Sequence, residues 1–137
     1  MYKKSEIEIE VLPANEGDCI LITIEKEDIH ILIDGGTAET YRNYLKTRLI
    51  QLRNEGKEID LLIVTHIDND HIGGIIELLK ENGSDMDSKI IRIKNIWHNS
   101  YRHLQFDKNQ TLGKSEKSIL NKIIANGEVS LNYNLGK

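Results

Sequence analysis

The stretch IDLLIVTHIDNDHIGG, Ile59 to Gly74, sets an apolar run directly against two histidines, two aspartates and a glycine pair. The run Ile59 to Val64, apolar but for Asp60, reads as a continuous strand buried on both faces. The polar cluster His66 to His71 then falls where the strand ends and the next helix begins. In layered α/β proteins ligands collect at the carboxyl ends of strands. His66 and Asp68 alternate in an extended loop and point the same way, and Asp70 and His71 enter the first helical turn. Four metal-competent side chains can therefore converge. Gly73 and Gly74, having no Cβ, let the helix start press against its neighbours. The plainer alternative makes Asp70 a helix cap and the histidines surface residues.

Working outward, Ile7, Ile9 and Val11 alternate with Glu6, Glu8 and Glu10, the period-2 pattern of a strand with one wet face. Cys19–Ile24 and Ile29–Ile33 are β-branched runs joined by a polar turn at Glu25–Asp28. Tyr41, Tyr44, Leu45, Leu49 and Leu52 recur at helical spacing between Ala38 and Asn54, and Asn54-Glu55-Gly56 supplies a stop. Ile72–Glu81 reads as a second helix, closed at Asn82-Gly83, and Lys89–Trp97 as a further strand. The order β-β-β-α-β-α-β is that of an α/β layered sheet. Ser115–Ala125 has the spacing of one more helix.

Composition sets the outer bounds. A chain of 137 residues is long enough for a single domain, 1–137, and an apolar fraction of 39 % can furnish a core. The net charge of −4 argues against wholesale electrostatic binding of nucleic acid. One cysteine, Cys19, allows no internal disulfide, and it reads as a small buried hydrophobe at the head of CILITI. No run is long enough for a membrane span and the N-terminus lacks a signal-peptide apolar region, so the expected location is cytoplasmic, with no membrane partner. His30, between Ile29 and Ile31, is expected at the surface. Lys89, Arg92, Lys94, Arg102, His103 and Lys108, with Tyr101 and Phe106 among them, form a basic concentration around WHNSYRHLQF that could hold phosphates or stack bases.

HxDxDH followed by GG, with LIDGG (Leu32–Gly36) and EGDCILI (Glu16–Ile22) before it, resembles the metallo-β-lactamase superfamily. Asp68, where most of that superfamily has histidine, makes the ComEC-type branch the closer likeness. The resemblance implies an αββα sandwich, of which this chain covers the N-terminal half, truncated at its C-terminal side. It implies two divalent cations, zinc or manganese: His66 and Asp68 on one, Asp70 and His71 on the other, with Asp70 also orienting a water. His98, in WHNS, matches a further ligand and Ser100 the serine that follows it. Asp34 and Asp18 correspond to supporting residues outside the ligand set, and Ser100, Arg102 and His103 are candidate phosphate contacts. The aspartate that bridges both metals in the family has no match here, so the fragment alone is expected to need another domain of a longer chain or a second copy.

Such a site would lower the pKa of a metal-held water and supply hydroxide near neutral pH. The carboxylate of Asp68 in place of an imidazole moves the preference from zinc toward manganese. The expected activity is hydrolysis of a phosphodiester, with DNA as a candidate partner. The alternatives are a non-catalytic regulatory module of a larger protein, such as an antiphage defence protein, and a hydrolase of a lactam, lactone or thioester.

Overall fold

The computed structural model describes residues 6–83 and 89–98. The expected helix Ser115–Ala125, with Ser100, Tyr101, Arg102, His103, Phe106 and Lys108, lies outside them. Five strands form one mixed sheet in the order β1-β2-β3-β4-β5. β1 (Ile7–Val11), β2 (Ile20–Ile24) and β3 (Ile29–Ile33) run antiparallel, with β2 and β3 joined by the short turn through Asp28. β4 (Leu61–Val64) joins β3 in parallel, and β5 (Ile96–His98) joins β4 in parallel. Each parallel step is made through a helical crossover, since parallel neighbours cannot be linked by a tight turn.

The first crossover is one continuous helical segment: α1 (Ala38–Thr40), a π-helical turn (Tyr41–Leu45) and α2 (Lys46–Asn54). The second is α3 (Asn69–Asn82), which starts three residues before the Ile72 expected from apolar spacing. Its first residues, Asn69, Asp70 and His71, are polar and lie outside the core, so apolar spacing does not reveal them. Both helical segments cover one sheet face. Leu21, Leu32, Leu62 and Ile96 there meet Tyr41, Leu45, Leu49, Ile72, Ile75 and Leu78, all fully buried. Tyr41 also donates to Glu81 Oε2 at 2.6 Å, and Lys46 donates to Glu81 Oε1 at 3.1 Å, tying the first helical segment to the end of α3.

Three expectations change. Ile7, Ile9 and Val11 of β1 are 61–70 % exposed, so the apolar row does not face the helix-covered core. The alternate row does, and at this edge it meets Arg48, which ion-pairs with Glu10 at 3.0 Å. His30 likewise shares the helix side with Leu32 and is buried, not at the surface; its backbone N–H donates to Asp60 Oδ2 at 2.8 Å. Alternation separates two faces but cannot say which is covered when both carry isoleucines. Ile59–Val64 is buried fully on one face only, and Asp60 interrupts it: the strand proper begins at Leu61.

Lys89–Trp97 is also not one strand. Ile93 makes an isolated bridge to Ile59, and ladder pairing resumes only at Ile96. Instead, Asn82 at the end of α3 holds this segment, accepting from Ile90 N–H and Ile91 N–H at 3.0 and 3.1 Å and donating to the Ile91 carbonyl at 2.8 Å. Asn82→Ala would strip partners from three backbone groups in a buried setting. Leaving such groups unsatisfied costs about 1–3 kcal/mol each, so urea titration should show a loss of about 3 kcal/mol or more, and an unchanged midpoint would contradict the clamp.

Candidate metal centre

β3 and β4 end side by side, and the turns at their carboxyl ends build the site. Asp34, directly after β3, adopts φ +58°, a left-handed conformation that aspartate tolerates better than most residues. Its backbone N–H donates to the Ile63 carbonyl at 2.9 Å, fixing the turn against β4. Its side chain, only 1 % exposed, is surrounded by donors. Oδ1 accepts from the Thr65 N–H at 2.7 Å, and Oδ2 accepts from the Thr65 hydroxyl and lies 2.9 Å from His71 Nδ1. A carboxylate so buried and so fully satisfied is an orienter of other groups.

His71 is thereby held by its Nδ1 edge. The other ring nitrogen, Nε2, lies 3.7 Å from Asp70 Oδ2. That is too long for a hydrogen bond, yet a cation about 2.1 Å from each donor atom could span it. The His66 ring centroid lies 4.8 Å from that of His71, and Asp68 precedes α3 as its N-cap residue, its backbone carbonyl receiving the His71 and Ile72 N–H groups at 2.9 Å. Asp18, Asp34 and His71 offer ligand atoms that all lie within 4.8 Å of one another. Of these three, Asp34 is the least suited to bind an ion directly, since an ion there would have to displace the Thr65 bonds.

Burial works against protonation of His71. The hydrogen bond and charge of Asp34, with Asp70 and Asp18 behind it, more than offset that and hold its pKa above the ordinary histidine value. For a raised pKa, the stability supplied by the His71–Asp34 pair is complete below the unfolded-state pKa and is lost as pH rises through the folded one.

Glycines bring these pieces together. The Gly35 N–H donates to the His71 carbonyl and the Gly74 N–H to the Gly36 carbonyl, both at 2.9 Å, so α3 lies backbone to backbone on the Asp34-Gly35-Gly36 turn. A Cβ at Gly74 would overlap the Gly35 carbonyl oxygen, and one at Gly35 would come within 2.8 Å of Ile75 N. Gly17, in the β1–β2 loop at φ +77°, packs equally hard on the Asp70 carbonyl.

The structure thus gathers Asp18 and Asp34 on one edge of His71 and Asp70 on the other, with the His66 ring beside it and Asp68 at the head of α3; among the described residues, ligand atoms all within 4.8 Å of one another come from Asp18, Asp34 and His71. His98 ends β5 in register with Val64, so it lies at the same end of the sheet as Thr65, and it is buried. Ser100, Arg102 and His103 lie outside the described residues. Arg92 and Lys94 are at the opposite end, paired with Glu58 at 3.8 and 2.7 Å, and Lys94 also with Asp60 at 3.2 Å. The motif gives Thr65 no role, although THIDNDH carries it; only the fold shows that both of its donors serve Asp34. Cys19 is fully buried and its thiol is pushed up to about 12 by burial first and by Asp34 and Glu10 next, which leaves it inert at neutral pH.

Residues 12–84, more than half of the chain, match the profile of the Metallo-beta-lactamase superfamily. The chain belongs to that superfamily. The matched span runs from the β1–β2 loop through the end of α3 and so contains every residue of the cluster except His98. Members of the superfamily are largely hydrolases that use divalent metals, and the mixed sheet with its helices agrees with the fold. Comparison with curated proteins found no match. No helix among the described residues is long and apolar enough to cross a membrane.

Proposed function

We propose that this superfamily member is a metal-dependent phosphodiesterase or nuclease of the ComEC-type branch, with His66, Asp68, Asp70, His71 and His98 holding two divalent cations. The observation that carries the metal reading is the posture of His71: Nδ1 taken by a buried, saturated Asp34 and Nε2 turned to Asp70 Oδ2 at 3.7 Å. Histidine ligands of metals are characteristically held this way, with the far nitrogen bonded to a carboxylate that fixes the tautomer. Asp68 supports the branch and favours a harder ion such as manganese over zinc.

Bound there, divalent ions supply Lewis acidity and an activated water. The chain's own residues do the rest. Asp34 and Thr65 lock the His71 ring, the α3 backbone positions Asp70 beside it, and the carboxylate of Asp70 orients the attacking water. A phosphodiester such as single-stranded DNA is the proposed substrate, because divalent ions held there would offset negative charge on its oxygens. The expected setting is the cytoplasm.

Titration of the chain with Mn²⁺ or Zn²⁺ in a calorimeter tests the metal reading, and less than about one equivalent bound would sink it. His71→Ala should weaken binding at least tenfold and abolish any hydrolysis of bis-p-nitrophenyl phosphate or single-stranded DNA. A proton on Nε2 competes for the lone pair that an ion needs. Because the His71 pKa is raised, affinity should keep tightening as pH rises past the ordinary histidine value and level off above it. An affinity flat across that range would remove His71 from the ligand set.

A further inference from the structure

Asp18, like Asp34, is a charged residue of the cluster that the HxDxDH motif does not include, and its surroundings are unusual for a loop residue. The β1–β2 loop that carries it is fastened at two points. Gly17 lies against the Asp70 carbonyl so closely that no side chain fits between, and the Asp18 carbonyl accepts from the Gly36 N–H at 2.9 Å. These contacts hold the loop to the start of α3 and to the turn that carries Asp34. The carboxylate itself is 60 % exposed, yet its Oδ2 is 3.9 Å from His71 Nδ1, on the edge of the ring that Asp34 holds.

We propose that Asp18 is a positioning residue for His71: a second carboxylate on the Nδ1 edge, which with Asp34 keeps the ring turned so that Nε2 faces Asp70 and strengthens Nε2 as a donor to a cation. This rests on the metal reading above. At 3.9 Å the two groups are not hydrogen-bonded, so Asp18 acts through its charge and by restricting the ring. Asp34 supplies the bond and Asp18 the additional field. An exposed carboxylate is screened by solvent and salt, so the effect is smaller than that of Asp34 and lessens at high ionic strength.

The test compares Asp18→Asn, Asp18→Glu and Glu16→Gln in the full chain, measuring Mn²⁺ affinity by calorimetry and thermal unfolding without added metal. Removing an outer carboxylate partner of a metal-bound histidine commonly weakens binding 10–100-fold; with screening, the expected loss for Asp18→Asn is about tenfold, with an unchanged melting temperature and most of the affinity restored in Asp18→Glu. In ¹⁵N spectra of the metal-free protein the neutral His71 ring should hold the Nδ1-protonated tautomer in the unmodified chain and show mixing in Asp18→Asn. Glu16→Gln removes the same charge two residues away and should leave affinity unchanged. Equal binding by Asp18→Asn overturns the proposal, as does an equal loss in Glu16→Gln, which would make the effect one of net charge. If the unmodified chain itself binds no Mn²⁺ or Zn²⁺, the metal reading falls and this inference with it.

Discussion

Asp34→Ala is expected to be the most damaging single change at the site, lowering stability by about 3–5 kcal/mol and removing measurable metal binding. The carboxylate is almost completely buried and bonded to the Thr65 N–H, the Thr65 hydroxyl and His71 Nδ1. Alanine leaves all three partners facing an empty space, and breaking a buried charged network by deleting one member costs about 3–5 kcal/mol. The left-handed backbone at φ +58° adds to the loss, because alanine lacks the local side-chain bonding that lets aspartate tolerate it. Asp34→Asn separates the two consequences. It fills the same volume and still accepts from Thr65, so the loss of stability should be about 1–2 kcal/mol, on the scale of one hydrogen bond. Its amide cannot provide the negative charge that fixes His71, and metal affinity should fall 10–100-fold. Urea titration and calorimetry read the two effects independently. If Asp34→Asn binds metal as tightly as the unmodified chain, the carboxylate is structural and the account of His71 is wrong.

How much of this the sequence carries depends on whether the cause is local. The strand, loop and helix around Thr65 are legible because an apolar run, a polar break and helical spacing succeed one another within a few residues. The helical segment from Ala38 to Asn54 is legible for the same reason, although the π turn inside it is not. The residues that gather at the site are also readable as a cluster, since four of them share six positions. What sequence does not hold is which sheet face the helices cover. Ile7, Ile9, Val11, Ile29, Ile31 and Ile33 satisfy an apolar pattern equally well outward or inward, and β1 and β3 both turn their isoleucines away from the helices. That ambiguity is why alternation alone puts His30 on the wrong face. β5 shrinks to three residues because Asn82, at the end of α3, captures the Ile90 and Ile91 backbone before a ladder can form. Thr65 gains its role only from long-range contact with Asp34, for which neither residue type nor spacing is a signal. Asp18 is marked by the EGDC likeness, but its neighbour His71 is visible only in the fold.

Gly74→Ala should reverse the usual sign of a glycine-to-alanine change in a helix. In an open helix interior the substitution stabilises by about 1 kcal/mol. Here the added methyl would overlap the Gly35 carbonyl oxygen and come within 3.0 Å of the Thr37 carbonyl oxygen, both of them backbone atoms that cannot rotate away. Relief requires α3 to lift from the Asp34-Gly35-Gly36 turn. That motion stretches the Gly74 N–H bond to Gly36 and the Gly35 N–H bond to the His71 carbonyl. Overpacking of this kind typically costs 1–3 kcal/mol, and with two backbone hydrogen bonds weakened a net loss of about 3 kcal/mol is expected. The neighbouring position provides the contrast. A Cβ at Gly73 would meet chiefly the Asn69 side-chain oxygen at 2.7 Å, which can swing aside, with Ala38 N at 3.2 Å. Gly73→Ala should therefore be near neutral by urea titration, and a Gly74→Ala protein equally stable would refute the close backbone docking. The same pair reads out the site: because His71 and Asp70 lie within the turn that must lift, Gly74→Ala should also weaken metal binding while Gly73→Ala leaves it intact. On the proposed metal reading, affinity would be set by how closely α3 can approach the Asp34-Gly35-Gly36 turn, and the glycines govern that distance without offering a single ligand atom.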